Sequence, residues 1–186
     1  MILPADFTIE KYGLRARFVE ENDAEFILTL RTDERLNKYL HPTKNDMDVQ
    51  KRWIRNYKER EREGKDYYFI FFKDKNPIGL NRIYDIHDGV FRTGSWLFSP
   101  DAPFECSIAA SIMVRELAFD VLGFIFEDDQ DGCHVDNKKV MRFNHMMGLK
   151  DTGSYDTDTG LFVSQSLTPE DFAKNKPKML KYIGIK

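Results

Sequence analysis

Apolar residues recur with two different periods along this chain, and the switches between them mark its elements. LRARFV (14–19) alternates apolar and polar side chains, the period-2 pattern of a half-buried strand. ENDAEFILTLRTD follows, with Asn22 or Asp23 as N-cap and Ala24, Ile27 and Leu28 at helical spacing. DERLNKYL reads as a further turn or short helix that stops at His41-Pro42, because the residue before proline is pushed out of the α region. In DMDVQKRWIRNYKEREREG, Val49, Trp53, Ile54 and Tyr57 form one apolar side among charges, and Gly64 ends the helix.

The period changes again at DYYFIFF (66–72), an aromatic and β-branched run that predicts a strand closed by the turn KDKNP. IGLNRIYDI and VFRTGSWLF predict two more strands joined through HDG, where Asp88-Gly89 supplies the positive φ of a tight hairpin. A helix over about 106–122, a strand within 124–136 and a helix NKKVMRFNHMMG capped by Gly148 come next. KDTGSY and GLFVSQS predict a closing pair of strands, and Thr168-Pro169 opens a terminal helix. The fold class is therefore mixed α/β.

Length and composition narrow the picture. A chain of 186 residues, 41% hydrophobic, buries one substantial core, so residues 1–186 are expected to form one domain. The net charge of −3, from 28 basic and 31 acidic residues, gives no electrostatic reason to expect nucleic acid or an anionic membrane as partner. The N-terminus has neither a basic region nor a continuous apolar run, and no apolar stretch is long enough to span a bilayer, so a cytoplasmic location is expected. Cys106 and Cys133 imply neither a disulfide framework nor a metal site.

GSWLF, the loop and helix SPDAP…SIAASIMVRELAFDVLGF, and DNKKVMRFNHMMGLKDTG together resemble the GCN5-related N-acetyltransferase (GNAT) superfamily. The branch nearest in pattern is that of the ribosomal-protein and amino-sugar acetyltransferases, and the element order fits over roughly the whole chain. The most specific match is Asn137 followed by Val140, Arg142, Phe143, Gly148 and Leu149. The resemblance implies a mostly antiparallel sheet of about six or seven strands, splayed at its middle and flanked by about four or five helices. It also implies acetyl-CoA as cofactor and direct transfer to a primary amine, with a small-molecule or peptide amine as partner and an amino sugar favoured. A homodimer is compatible with the sequence. In this chain the splayed strands would be GSWLF and the strand ending near Val135, with main-chain groups of Trp96, Leu97 and Phe98 bonding the pantetheine amides. The pyrophosphate would rest on the helix start at Cys106, Ser107 and Ile108, where free N–H groups and the helix dipole favour an anion. Asn137, Lys139 and Arg142 complete the expected cofactor contacts, with Lys138 also in reach of a phosphate.

Two positions depart from the family pattern. The loop Ala102–Ser107 lacks the glycines that let backbone approach phosphates, and Glu105, if turned inward at about 5 Å, would repel a phosphate by roughly 3 kcal/mol at an effective dielectric near 20. Asn144 stands where many members place a tyrosine that protonates the departing thiolate, and His145 lies about 100° further round the helix. These departures support an alternative, a catalytically degenerate module that keeps the fold and binds CoA poorly.

The remaining candidates each carry a plainer reading. His134, near Asn137, is a candidate base or proton relay, and Tyr84 and Asp85 are candidate catalytic groups near the end of a central strand. His87, beside a turn, and Arg31 and Tyr39, from the helical segment that walls the acceptor pocket in this fold, are candidate substrate contacts; Trp53 reads as core. Cys106 at a helix start could be a nucleophile, but no histidine lies near it in sequence, which favours a packed thiol. Ser107, Ser111 and Arg115 form a polar line on an apolar helix. The run EDDQD (127–131) reads as a solvated loop, about two residues longer than the family needs.

Overall fold

The structure, a computed structural model, describes residues 1–185 apart from the side chain of Asp131. The chain runs β1 (Thr8–Lys11), β2 (Leu14–Phe18), α1 (Ala24–Thr32), α2 (Met47–Arg62), β3 (Tyr67–Lys73), β4 (Asn76–His87) and β5 (Val90–Phe98). It continues through α3 (Phe104–Glu116), β6 (Phe126–His134), α4 (Lys138–Met147), β7 (Lys150–Thr157), β8 (Gly160–Leu167) and α5 (Pro169–Tyr182). The eight strands form one sheet in the order β1-β2-β3-β4-β5-β6-β8-β7. Every neighbouring pair is antiparallel except β5 with β6.

The sheet has helices on both faces, and β3 shows why its sequence reads as an unbroken apolar run. Tyr67, Phe69 and Phe71 point into a core shared with α3, α4 and α5, while Tyr68, Ile70 and Phe72 point into a second core under α1 and α2. In α2, Ile54 and Tyr57 are buried as the stripe predicts, whereas Val49 is exposed and Trp53 only half-buried against that second core.

β1 was not predicted. Its four residues TIEK carry no alternation that distinguishes them from a tail, and they pair with β2 through the positive-φ turn Tyr12-Gly13. α3 starts at Phe104, two residues before the expected position, with Pro103 as N-cap, and continues through wider π-type turns over 117–121. DERLNKYL contributes only a short 3₁₀ turn at Asn37–Tyr39.

The acidic run corrects a second expectation. It is no loop: Glu127 to Gly132 lie in β6, and Glu127 is fully buried. Between Asp129↔Gln165 and Cys133↔Val163, three β6 residues oppose the single residue Ser164, so the two surplus residues form a bulge inside the strand. Gly132 makes that bulge workable: its φ is +63°, its N–H donates to Asp129 Oδ1 at 3.2 Å, and a Cβ there would lie 2.3 Å from the Val163 carbonyl oxygen.

β5 and β6 pair only at Val90↔Phe126 and Phe91↔Glu127 and then part. Both strands are bent where they separate. β6 has the bulge just described, and β5 has one of its own, where Ser95 and Trp96 together oppose Asn81 and Ser95 takes φ +49°. The result is a wedge open between two parallel strands.

Candidate active site

At the apex of the wedge, where main-chain pairing stops, three elements are tied by one buried ion pair. Arg115 of α3 donates from Nε (2.8 Å) and Nη2 (2.7 Å) to the two carboxylate oxygens of Glu127. Thr93 of β5 donates to the same carboxylate at 2.7 Å, and Ser111 receives a bond from Arg115 Nη1. Arg115 is 3% exposed and Glu127 0%. Thus the polar line predicted on this helix splits: Ser111 and Arg115 close the wedge, and Ser107 alone faces outward.

Beyond the apex the β5 edge is free of a strand partner. Ser99 donates to the Ile78 carbonyl (2.8 Å) and Leu97 sits opposite Leu80, so strand alternation turns the main chain of Leu97 toward β4 and that of Phe98 and Trp96 toward the wedge. Leu97 is packed in the core beneath α1 and α2. A cavity of about 480 Å³ fills the wedge, lined by Thr93–Trp96, Tyr84, Cys133, His134, Asn137 and Asn144 among others.

Two further cavities extend it. On the α3–α4 side a groove of about 420 Å³ is lined by Ser107, Ile108, Lys138, Lys139 and Arg142, with the exposed aromatics Phe104 and Tyr182 packed edge to face at its rim. Trp96 and Phe143, stacked with ring centroids 4.3 Å apart, line both this groove and the wedge. Trp96 is fixed by its indole N–H, which donates to the Ser107 carbonyl at 2.9 Å. On the opposite side a cavity of about 370 Å³ is walled by α1, α2 and the loop between them, and it shares Arg31, Arg82 and Ser95 with the wedge.

The family model for the GNAT acetyltransferase domain matches residues 14–150. The chain belongs to the GNAT acetyltransferases. Among solved structures, the apo form of FdhC, described as a nucleotide-linked sugar GNAT, is 33% identical over 96% of this chain and 99% of that one, with a TM-score of 0.81. Mycobacterium smegmatis RimJ in complex with CoA-disulfide superposes with a TM-score of 0.75 at 16% identity, over 92% of this chain and 89% of that one. A ribosomal-protein alanine acetyltransferase from Vibrio fischeri gives 0.73 at 14% identity, over 90% and 99%. No curated protein matches the sequence. Among the described residues no helix is long and apolar enough to cross a membrane, and no group of side chains could hold a metal ion.

Within this acetyltransferase the sequence-predicted residues fall into three sets. Trp96, Asn137, Ser107, Ile108, Lys139 and Arg142 line the wedge or its groove, as do Arg31, Tyr39 and Tyr84 on the other side, while Phe98 packs its ring on Phe71 and turns only its main chain to the wedge. Asp85 and His87 do not: Asp85 pairs with Arg92 at 3.1 Å, His87 Nδ1 bonds the Asp85 carbonyl at 2.8 Å, and neither lines the wedge, the groove or the cavity under α1 and α2. Cys106 is the third case, a thiol packed in the core with its pKa raised by burial, which fits the packed-thiol reading. Because α3 begins early, the Cys106 N–H already bonds the Pro103 carbonyl at 2.9 Å, and the helix opens at Phe104 and Glu105. The Glu105 side chain is not part of the groove lining, which contains no carboxylate.

His134 lines the wedge but is committed on both nitrogens. Nδ1 accepts the Asp136 N–H (3.1 Å), Nε2 faces the Thr159 carbonyl (3.0 Å), and the ring lies against Tyr39 and Phe162. Gly160 permits this approach, since a Cβ there would fall 2.4 Å from Nε2. A His134→Gln variant is therefore expected to lose less than about tenfold in kcat, measured as CoA release, whereas loss of a working general base costs about 10²–10⁴-fold. Asn144 likewise has its amide N–H on Gln165 (2.7 Å), which in turn bonds Asp151 (2.8 Å). The Cys133 thiol, on the same wall, is pushed up to about 11 by burial.

Proposed function

We propose that this enzyme transfers the acetyl group of acetyl-CoA to the primary amine of an amino sugar carried on a nucleotide. The observation that carries the reading is the wedge at Ser95–Phe98, open at one end into a groove lined by cations and at the other into a separate walled cavity. The groove fits the nucleotide end of CoA: Lys138, Lys139 and Arg142 face it without a carboxylate among its lining residues, and the rims of Phe104 and Tyr182 suit an adenine. The main chain of Trp96 and Phe98, turned into the wedge, suits the pantetheine amides, and an N–H there would hold the acyl oxygen as it gains charge. Asn137 lines the wedge beside them.

Acetyl-CoA supplies an activated acyl carbon whose leaving group, a thiolate with a parent pKa near 8.5, departs without strong help from an acid. The chain tolerates Asn144 in place of a tyrosine for that reason. Attack needs an unprotonated amine; of the predicted catalytic set Tyr84 and His134 both line the cavity, and Tyr84 has its ring over the Arg82 guanidinium, 4.8 Å away. The similarity to a nucleotide-linked sugar GNAT over essentially the full length of both chains supports the choice of acceptor. The test is a mass-resolved acetylation screen over nucleotide-linked amino sugars, free amino sugars, polyamines and peptide N-termini. Product is expected only with the first class; acetylation of peptides or polyamines alone contradicts the reading.

A further inference from the structure

The cavity walled by α1 and α2 differs from the wedge in its charge. Arg31, Lys44 and Arg82 line it, and none of its lining residues is a carboxylate. Arg82 is compensated: Asp66, 1% exposed, takes two bonds from it at 2.8 and 2.5 Å, but the same carboxylate also takes Arg60 at 2.9 Å. Arg31 has no such partner among the described residues. Its Nε donates to the Thr43 hydroxyl (2.7 Å) and its Nη2 reaches the His41 carbonyl (3.5 Å), which fixes the guanidinium and leaves its charge uncompensated.

A second observation is independent of charge. Tyr68 lines the same cavity and is 2% exposed, and its buried hydroxyl makes no well-formed hydrogen bond, with the Ser95 side chain as its polar neighbour. Such a group carries a cost unless something in the cavity satisfies it. The bulge residue Ser95, at positive φ, borders both this cavity and the wedge. An acceptor whose amine reaches Ser95 would thus extend its remaining length past Tyr68 to Arg31.

We infer that Arg31, with Lys44 beside it and Tyr68 beneath, is an anion clamp that selects acceptors carrying a phosphate or diphosphate and rejects cationic amines. The inference rests on the proposed transferase reading for the direction of the amine, but the clamp itself is testable by binding alone. The shared chemistry is a phosphoryl group, and the arms of the experiment separate a nucleotide's diphosphate from a simple phosphoryl anion.

The 186-residue chain, saturated with CoA so that the α3–α4 groove is filled, is titrated calorimetrically with thymidine diphosphate, uridine diphosphate and inorganic pyrophosphate. Wild type, Arg31→Met and Arg31→Lys are compared, and acetyl-CoA titrated into each reports folding and cofactor binding. A nucleoside diphosphate is expected to bind wild type, to lose at least about tenfold in Arg31→Met, and to recover part of that in Arg31→Lys, with acetyl-CoA affinity within about twofold throughout. Pyrophosphate binding as tightly as the nucleotides would confine the clamp to the phosphoryl group and still support it. Equal nucleoside diphosphate affinity in wild type and Arg31→Met overturns the clamp, as does equal kcat/KM for a free and a nucleotide-linked amino sugar. Arg31-dependent diphosphate binding in a chain that transfers no acetyl group would instead retain the clamp and remove the transferase reading.

Discussion

A Glu127→Gln variant is expected to melt roughly 10 °C below the parent chain, about 3–5 kcal/mol of stability for breaking a buried pair in a chain of this length. Glu127 is wholly buried, and its carboxylate receives Arg115 twice and Thr93 once; the amide accepts fewer bonds and leaves the guanidinium charge uncompensated. The loss falls at the apex of the wedge, so β5, β6 and α3 loosen together. The pairing, rather than either group's bulk, is the cause, and the double variant Arg115→Met/Glu127→Met should recover most of the loss. Calorimetric melting of the parent chain and the two variants checks this. A single variant within about 1 kcal/mol of the parent would mean the pair contributes nothing to the wedge.

Reversing charge at Lys139 and Arg142 is expected to weaken acetyl-CoA binding by roughly a hundredfold or more while leaving the melting temperature almost unchanged. Both side chains are exposed on α4 and line the groove, so neither supports the core. On the proposed reading, each substitution removes a charge-assisted bond to a phosphate and adds a carboxylate in its place. Dephospho-CoA separates the contributions. If these residues hold the 3′-phosphate, dephospho-CoA binds wild type and the double variant with similar affinity; if they hold the diphosphate, both ligands weaken together.

Much of this architecture is legible in the residues. DYYFIFF reads as a strand from its aromatic and β-branched run, its cover on both faces being seen only in the fold, and Gly148 at φ +109° ends α4 where the pattern places it. The Asn137–Leu149 segment carried the family and with it the splay of the sheet. What stayed hidden was decided by tertiary partners. β1 gains its identity only by pairing with β2. Glu127 reads as one of several surface acids until Arg115 is placed against it, twelve residues away in sequence and 2.7 Å in space. His134 looks like a base because of its neighbours in sequence, yet it is consumed by Asp136 and Thr159, the second of which arrives from the β7–β8 turn. The excess of two residues in the acidic run was visible, but not that a strand bulge held by Gly132 would absorb it. Arg31 was visible as a pocket residue, whereas the lack of a carboxylate partner is a property of the folded wall alone.

Calorimetric titration of the wild-type chain with acetyl-CoA tests the central claim most directly, that the wedge between β5 and β6 and its cationic groove hold the acyl donor without a glycine-rich loop. The structure predicts saturable binding in the micromolar range, weakened by Ser107→Glu at the mouth of the groove. Absence of binding at millimolar acetyl-CoA, in a chain that melts cooperatively, would contradict it.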